Sequence, residues 1–159
     1  KGMVFKMERK RGFEIAKGFE DKKINLPIRK TKYSAGYDVE AAEDTVIPSF
    51  KKGMAPTLIK TGIKAYMQDD EMLALYNRSS NPKKKGLILA NSVGIIDKDY
   101  YGNEDNDGHI MFAFYNIKEE DVTIKKGECI GQAIFQKYLL TDDDNAEGIR
   151  EGGFGSTSK

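Results

Sequence analysis

The sequence is poor in the residues that build covalent and metal-based sites. Its 159 residues include one cysteine, Cys129, one histidine, His109, and no tryptophan. A single cysteine excludes an internal disulfide and fits a reducing compartment, so we expect a cytoplasmic protein. A zinc site of His and Cys ligands, or a Cys–His nucleophile, would need more of these residues than the chain offers.

Long hydrophobic runs and a strong net charge are missing as well. No stretch reaches the roughly 20 apolar residues of a transmembrane helix, and no signal peptide is visible. The formal net charge is +1, with 39% hydrophobic and 32% charged residues. The net charge therefore gives no strong overall electrostatic attraction to nucleic acid or to a membrane surface. This composition and length predict one globular domain with a sizeable core.

The sequence also shows no long helical periodicity and no internal repeat. Short apolar or alternating segments recur at near-regular spacing, which favours an all-β sandwich or barrel of the jelly-roll type. Residues 82–86 predict one helical turn, and Pro27 places residues 24–28 at a sheet edge. The predicted strands cover residues 13–16, 33–39, 45–48, 57–59, 62–67, 71–76, 87–91, 94–96, 110–115 and 128–135.

The chain divides into a body and a tail. We expect residues 1–147 to form one β domain, of which residues 1–12 are a flexible arm. The acidic stretch 142–147 is typical of a linker. Residues 148–159 contain four glycines around one phenylalanine, and such a segment cannot bury a core of its own, so we expect it to be flexible. We call this segment the C-terminal arm. Lys1-Gly2, without an initial methionine, suggests a processed end or a cloning remnant.

Residues 94–102 hold two carboxylates and two aromatic rings between glycines. The β-branched pair Ile95 and Ile96 predicts a short strand that delivers Asp97 to a turn. A carboxylate fixed at a strand end, with the ring of Tyr100 three residues later, suits catalysis on a small aromatic substrate. A charged surface hairpin explains the same residues equally well.

A calcium loop is another interpretation of this stretch. Asp97, Asp99 and Gly102 occupy the first, third and sixth places of an EF-hand loop. The fifth place is Tyr101 and the twelfth is Gly108, neither of which supplies the usual side-chain oxygen. A second register six residues later fails at its twelfth place too. The pattern therefore argues against a calcium site.

Other polar residues stand where predicted strands end. Arg78, followed by Ser79 and Ser80, offers donors that can converge on phosphate oxygens, although a plain polar turn is the alternative. The amide of Asn91 matches the edge of a pyrimidine, or it caps a turn. Gln132 is the polar exception in an apolar strand and needs partners if it is buried.

Five ordered segments together resemble the homotrimeric dUTPase family. They are residues 35–38, residues 78–80, Asn91 with residues 94–100, residues 127–132 and residues 150–157. Each segment alone is a weak signal, but all five in order are specific. The resemblance implies a distorted jelly roll that assembles as a homotrimer with a swapped C-terminal arm. It also implies Mg²⁺-assisted hydrolysis of dUTP to dUMP and pyrophosphate, which lowers dUTP and supplies dUMP for thymidylate synthesis.

The resemblance also assigns roles to individual residues. Asp97 would be the base that orients water for attack on the α-phosphorus, with Arg150 and Gln132 as further catalytic groups. Asp38 would help to organise the magnesium through water. Substrate contacts are implied for Arg78, Ser79, Ser80, Asn91, Gly94, Ile96, Tyr100, Phe154, Gly155, Ser156 and Thr157.

Some features depart from the family pattern. Asn77 stands where glycine or proline is common, Glu128-Cys129 replaces an acidic–basic pair, and Ser158 replaces a glycine. Residues 103–108 are longer and more acidic than in compact members, similar to phage-type dUTPases in which this region carries partner contacts. Two alternatives therefore stay open: a dCTP deaminase or bifunctional relative, and a regulatory protein that binds a repressor-like partner through residues 103–108.

Overall fold

The computed structural model describes residues 8–155, and in this range strands dominate. A short helix α1 (Asn81–Lys85) follows the sixth strand, and two single 3₁₀ turns cover Phe50–Lys52 and Lys98–Tyr100. The strands are β1 (Gly12–Ile15), β2 (Tyr37–Glu40), β3 (Thr45–Ile47), β4 (Thr57–Lys60), β5 (Ile63–Tyr66), β6 (Glu71–Asn77), β7 (Leu87–Leu89), β8 (Gly94–Ile96), β9 (Met111–Asn116), β10 (Val122–Ile124) and β11 (Cys129–Lys137).

The strands pair into four small antiparallel sheets. The largest has the order β2-β11-β6-β8, and a three-stranded sheet has the order β4-β9-β7. Strands β1 and β5 form a third sheet, and β3 and β10 form a fourth. Strands that are distant in sequence thus lie side by side, as in a sandwich closed by crossing connections.

One core fills the space between these sheets. Its largest fully buried side chains include Phe112 and Phe114 from β9 and Leu73 from β6. Gly131 on β11 leaves room for this packing, because an added Cβ would lie 2.3 Å from the ring of Phe112. The alternating burial of β9 matches its period-two sequence pattern.

The all-β prediction and most predicted strands are confirmed. The helical turn at residues 82–86 is confirmed as α1, which ends at Gly86 in the left-handed conformation with φ 63°. Residues 24–28 form no strand, and only Ile28 makes an isolated bridge, to Asp38. Strand β10 was not predicted, because three residues give too short an alternation to stand out.

The two chain ends lie partly outside the described residues. The predicted N-terminal arm, residues 1–12, is described only from Glu8 onward. There, Arg9 pairs with Glu14, and Arg11 donates to Glu71 at 2.6 Å. None of the helices in the described part of the chain has the length and hydropathy to cross a membrane.

Candidate active site

A cavity of about 160 Å³ lies between the β7–β8 turn, the 3₁₀ turn after β8 and the C-terminal residues 150–155. It brings together many residues that the sequence singled out. Its lining consists of Leu75, Asn91, Gly94, Ile95, Ile96, Asp97, Tyr100, Met111, Arg150, Phe154 and Gly155. We call Asn91, Asp97, Tyr100, Arg150 and Phe154 the pocket group.

The tight β7–β8 turn sets the position of Asn91. Ser92 adopts a positive φ of 61°, and the Val93 N–H donates to the Asn91 carbonyl at 2.7 Å. Gly94 then begins β8 directly against Leu75, where an added Cβ would come within 3.0 Å of the Leu75 Cβ. The chain can pass so close to β6 because Gly94 has no side chain.

Arg150 joins the C-terminal segment to the two carboxylates. Its Nη2 donates to Asp97 Oδ2 at 2.9 Å, and its Nε donates to Asp99 Oδ1 at 2.8 Å. The Arg150 side chain is 7% exposed, whereas those of Asp97 and Asp99 are more than half exposed. The guanidinium carbon also lies 5.8 Å from the centre of the Tyr100 ring. A planar fork of donors beside an accessible carboxylate can engage phosphate oxygens at the pocket.

Tyr100 is buried and fixed at both ends. Its hydroxyl donates to the His109 carbonyl at 2.6 Å and accepts from Asn106 Nδ2 at 2.8 Å. Burial raises the pKa of this hydroxyl above its ordinary value. The ring is therefore a rigid, neutral wall of the pocket.

The remaining candidates form a second cluster, which we call the strand group: Asp38, Arg78 and Gln132. Gln132 on β11 lies directly opposite Asp38 on β2. Its Nε2 donates to the Asn77 carbonyl at 3.3 Å. Gly36 is required beside it, because an added Cβ would lie 2.2 Å from Gln132 Oε1. Gln132 is half-buried, and its bond to the Asn77 carbonyl gives it a polar partner.

Arg78 is held at the end of β6 by backbone and amide contacts. Its Nη1 donates to the Cys129 carbonyl at 3.2 Å. The buried Asn81 bonds both Asn77 Oδ1, at 2.8 Å, and the Ile130 carbonyl, at 3.0 Å. This link fixes the start of α1, so Ser79 and Ser80 follow Arg78 in a defined turn.

The two groups lie toward opposite edges of the four-stranded sheet, whose order is β2-β11-β6-β8. Asp38 is on the outer strand β2, whereas residues 94–96 of the other outer strand, β8, line the pocket. None of the described residues that line this pocket belongs to the strand group.

The donor set near Asp38 suits only an indirect metal contact. In residues 8–155, no three His, Cys, Asp or Glu side chains cluster to hold a metal ion. The Asp38 carboxylate lies 3.4 Å from Lys30 Nζ, at a groove that Glu40 also lines. This arrangement fits a magnesium ion that is held mainly by phosphate oxygens and water, because such an ion needs few protein ligands.

Several contacts of the site were missed by sequence reasoning. Leu75 and Met111 line the pocket from other strands, and an apolar residue in a strand gives no sign of such a role. Asp99 is the second partner of Arg150, which its spacing of two from Asp97 could have suggested. Ser156 and Thr157 lie outside the described residues.

The fold and pocket define an all-β protein with a carboxylate–arginine site, and comparisons with known proteins identify its family. The dUTPase family profile matches residues 22–158. A deoxyuridine 5'-triphosphate nucleotidohydrolase of Lactococcus lactis is 53% identical over 149 residues, which cover 92% of this chain and 97% of that protein.

Solved structures of dUTPases are also similar to this chain. A dUTPase from Streptococcus mutans is 46% identical, with a TM-score of 0.76 over 82% of this chain and 98% of that one. A dUTPase of phage phi11 of S. aureus, described with a structural Mg(II) ion, is 17% identical with a TM-score of 0.66 over 88% and 98%. At that identity the likeness supports the fold alone. The chain belongs to the dUTPase family, and the predicted jelly-roll fold is confirmed.

Proposed function

We propose that this protein hydrolyses dUTP to dUMP and pyrophosphate. The observation that carries the proposal is the convergence of the Asp97 carboxylate, the Arg150 guanidinium and the Asn91 amide on one pocket walled by Tyr100. The names of the Lactococcus and Streptococcus relatives support the same reaction. The reaction would lower cellular dUTP and supply dUMP for thymidylate synthesis.

Asp97 is the base of the proposed mechanism. Its exposed carboxylate takes a proton from a water molecule, whose oxygen bonds to the α-phosphorus while the bond to the bridging oxygen breaks. Pyrophosphate leaves with that oxygen. Arg150 neutralises charge on the phosphate chain, which favours the transition state more than the ground state. Ser156 and Thr157 are proposed to close over the phosphates.

The pocket selects the nucleoside by fit and hydrogen bonding. Asn91 and the backbone of Gly94 and Ile96 pair with the uracil edge, and Phe154 covers the base, followed by Gly155. Tyr100 packs against the deoxyribose and crowds a 2′-hydroxyl. Selection by buried hydrogen bonds can exceed roughly 10⁴-fold, which is enough to reject dCTP.

The strand group is proposed to hold the phosphates. Arg78 and Gln132, with Ser79 and Ser80, present donors of the kind that phosphate oxygens accept. A bound magnesium ion would neutralise phosphate charge and polarise the attacked phosphorus. Asp38 would orient its water ligands from outside the inner coordination shell.

The placement of the two groups supports an active site shared between chains. Because no strand-group residue lines the pocket, a second copy is proposed to present its strand group to the first copy's pocket. The family resemblance specifies a homotrimer with three such sites. In the described chain the arm lies on its own Asp97, so arm exchange between subunits is a separate prediction.

A pyrophosphate-release assay tests the function. Purified protein is incubated with Mg²⁺ and, separately, dUTP, dCTP, dTTP or UTP, and Asp97→Asn serves as the control for contaminating hydrolases. We expect release from dUTP alone. Ammonia from dCTP would instead establish deamination, and no product from any nucleotide would reject both. A protein partner for residues 103–108 stays a prediction.

A further inference from the structure

The loop of residues 103–108 turns toward the C-terminal arm. The arm residues Gly152 and Gly153 are buried, and Gly153 lies against this loop. The Gly153 N–H donates to the Asp105 carboxylate at 2.8 Å. A carboxylate that accepts from a backbone N–H forms one of the stronger classes of hydrogen bond. The acidic loop therefore has a specific partner in its own chain.

The loop is also held by contacts that do not involve the arm. Asn103 Oδ1 accepts from the backbone N–H of Asp105 at 3.0 Å and of Asn106 at 3.2 Å. At its far end, Asp107 Oδ2 accepts from the Lys17 N–H at 2.9 Å and from Lys64 Nζ at 2.8 Å. These contacts anchor the loop to the body, so Asp105 is presented in a fixed position.

Glycine at position 153 allows a close approach of the arm to the loop. An added Cβ there would lie 3.1 Å from Asn106 Nδ2 and 3.2 Å from Asn103 Oδ1. The same Asn106 donates to the hydroxyl of Tyr100. The loop thus contacts both the arm and the pocket wall. Gly153 lies next to Phe154, and its carbonyl accepts from Arg150 Nη1 at 3.4 Å.

We propose that Asp105, supported by Asn103 and Asn106, is a positioning residue that docks the arm at Gly153. Docking fixes the arm backbone between Arg150 and Phe154, so the guanidinium meets the carboxylates and the ring covers the pocket. The catalytic part of this inference rests on the proposed function. It predicts that loss of residues 103–108 impairs hydrolysis, which a surface serving only a protein partner would not do.

Hydrogen exchange of the arm tests docking without any substrate. The variants are Asp105→Ala, Asp105→Asn and the matched control Glu104→Ala, which removes the same charge from the neighbouring exposed position. We expect the segment 150–155 to exchange about 5- to 10-fold faster in Asp105→Ala. Asp105→Asn keeps an oxygen acceptor and should restore most of the protection. Equal exchange in Asp105→Ala and Glu104→Ala would overturn the proposal.

A pair of glycine variants checks the contact from the arm side. Gly153→Ala should accelerate exchange as Asp105→Ala does, because the added methyl meets the two asparagines. Gly148→Ala is its control, since no atom lies within 4 Å of a Cβ added there. If both variants exchange like the unaltered protein, the arm does not dock through Gly153 and the proposal fails.

Kinetics then connect docking to catalysis. For dUTP we expect kcat/KM to fall about 5- to 20-fold in Asp105→Ala, to recover to within about threefold in Asp105→Asn, and to stay within about twofold in Glu104→Ala. Thermal unfolding should be unchanged in all three. Faster exchange with unaltered kinetics would reject the positioning role. An unaltered protein that fails to hydrolyse dUTP would reject the proposed function and leave the exchange result standing.

Discussion

The strand group and the pocket group are built by different means. Asp38 and Gln132 sit opposite each other on paired strands, so the sheet ladder sets their spacing. Asp97 instead follows the end of a strand, and an arginine from the distant C-terminal arm bonds to it. Strand register therefore sets the strand group, whereas the pocket group is completed by a contact between residues 53 positions apart.

Among the predictions, replacing Asp97 of the pocket group should have the largest effect. Asp97→Asn should lower kcat for dUTP by roughly 10²–10⁴-fold while KM changes little, because it removes the proton acceptor and keeps the shape. Asp99→Asn is the matched control, since Asp99 shares Arg150 but lies two residues away from the base. We expect it to cost less than about tenfold. Equal losses in both variants would mean that anchoring Arg150, and not base catalysis, is the role of Asp97.

The arm comes next in expected effect. Deletion of residues 150–159 should leave a folded protein and lower activity by about 10²-fold, because charge neutralisation and closure are lost together. Circular dichroism and size-exclusion chromatography would check that the fold and assembly survive. A deletion variant with full activity would remove the arm from catalysis.

Mixed oligomers show which chain supplies the arm. The deletion is co-expressed with Asp97→Asn, so that each intact Asp97 sits on a chain without an arm. If arms are swapped, as the resemblance implies, some sites regain both parts and activity reappears. If each arm serves its own chain, as the Arg150–Asp97 contact is arranged here, the mixture stays as inactive as its parents.

The same contrast explains what the sequence could predict. Local patterns predicted Asn91, Asp97 and Tyr100, because these residues fall within ten positions, on the β7–β8 turn and the segment that follows β8. The pairing of Gln132 with Asp38 depends on register between strands about 90 positions apart, which local patterns do not encode. The resemblance named both residues, but only the strand pairing shows that they lie together, away from the β8 edge that lines the pocket.

The contacts of the 103–108 loop could not be predicted from the sequence, for another reason. Its acidic and amide side chains suit solvent or a protein partner equally well. The contact that forms depends on Gly153, which lies 48 positions after Asp105 and approaches it closely. Close approach of two backbones is a property of the packed fold.

Tyr100 tests the specificity of the pocket group. Tyr100→Ala should weaken use of dUTP and narrow the preference for dUTP over UTP by about tenfold, because the wall that crowds a 2′-hydroxyl is lost. Tyr100→Phe keeps the ring and removes only the bonds to His109 and Asn106. It should retain the preference. An unchanged preference in Tyr100→Ala would place sugar selection elsewhere.

The effect most remote from catalysis concerns His109, whose carbonyl accepts from Tyr100 and so links the pocket group to the core. Its ring accepts from the Gly62 N–H at 2.9 Å and packs on Phe19. Burial, assisted by the charge of Lys60, lowers the pKa of His109 from 6.5 to about 4. The folded protein therefore keeps this ring neutral at a pH where the unfolded chain protonates it.

Stability should follow from that difference. Between pH 6.5 and about 4 the unfolded chain binds one more proton at His109, so the free energy of unfolding falls as the pH is lowered through this window. The full loss is about 3 kcal/mol and is complete only below the folded pKa. Urea unfolding at pH 4.5, 5.5 and 7.5 measures the part of this loss that falls between pH 7.5 and pH 4.5, with His109→Gln as the comparison. The variant should be less stable at pH 7.5, because the acceptor for Gly62 is perturbed, and its stability should depend less on pH. If the free energy of unfolding depends on pH in the same way in both proteins, then groups other than His109 govern the loss of stability at low pH.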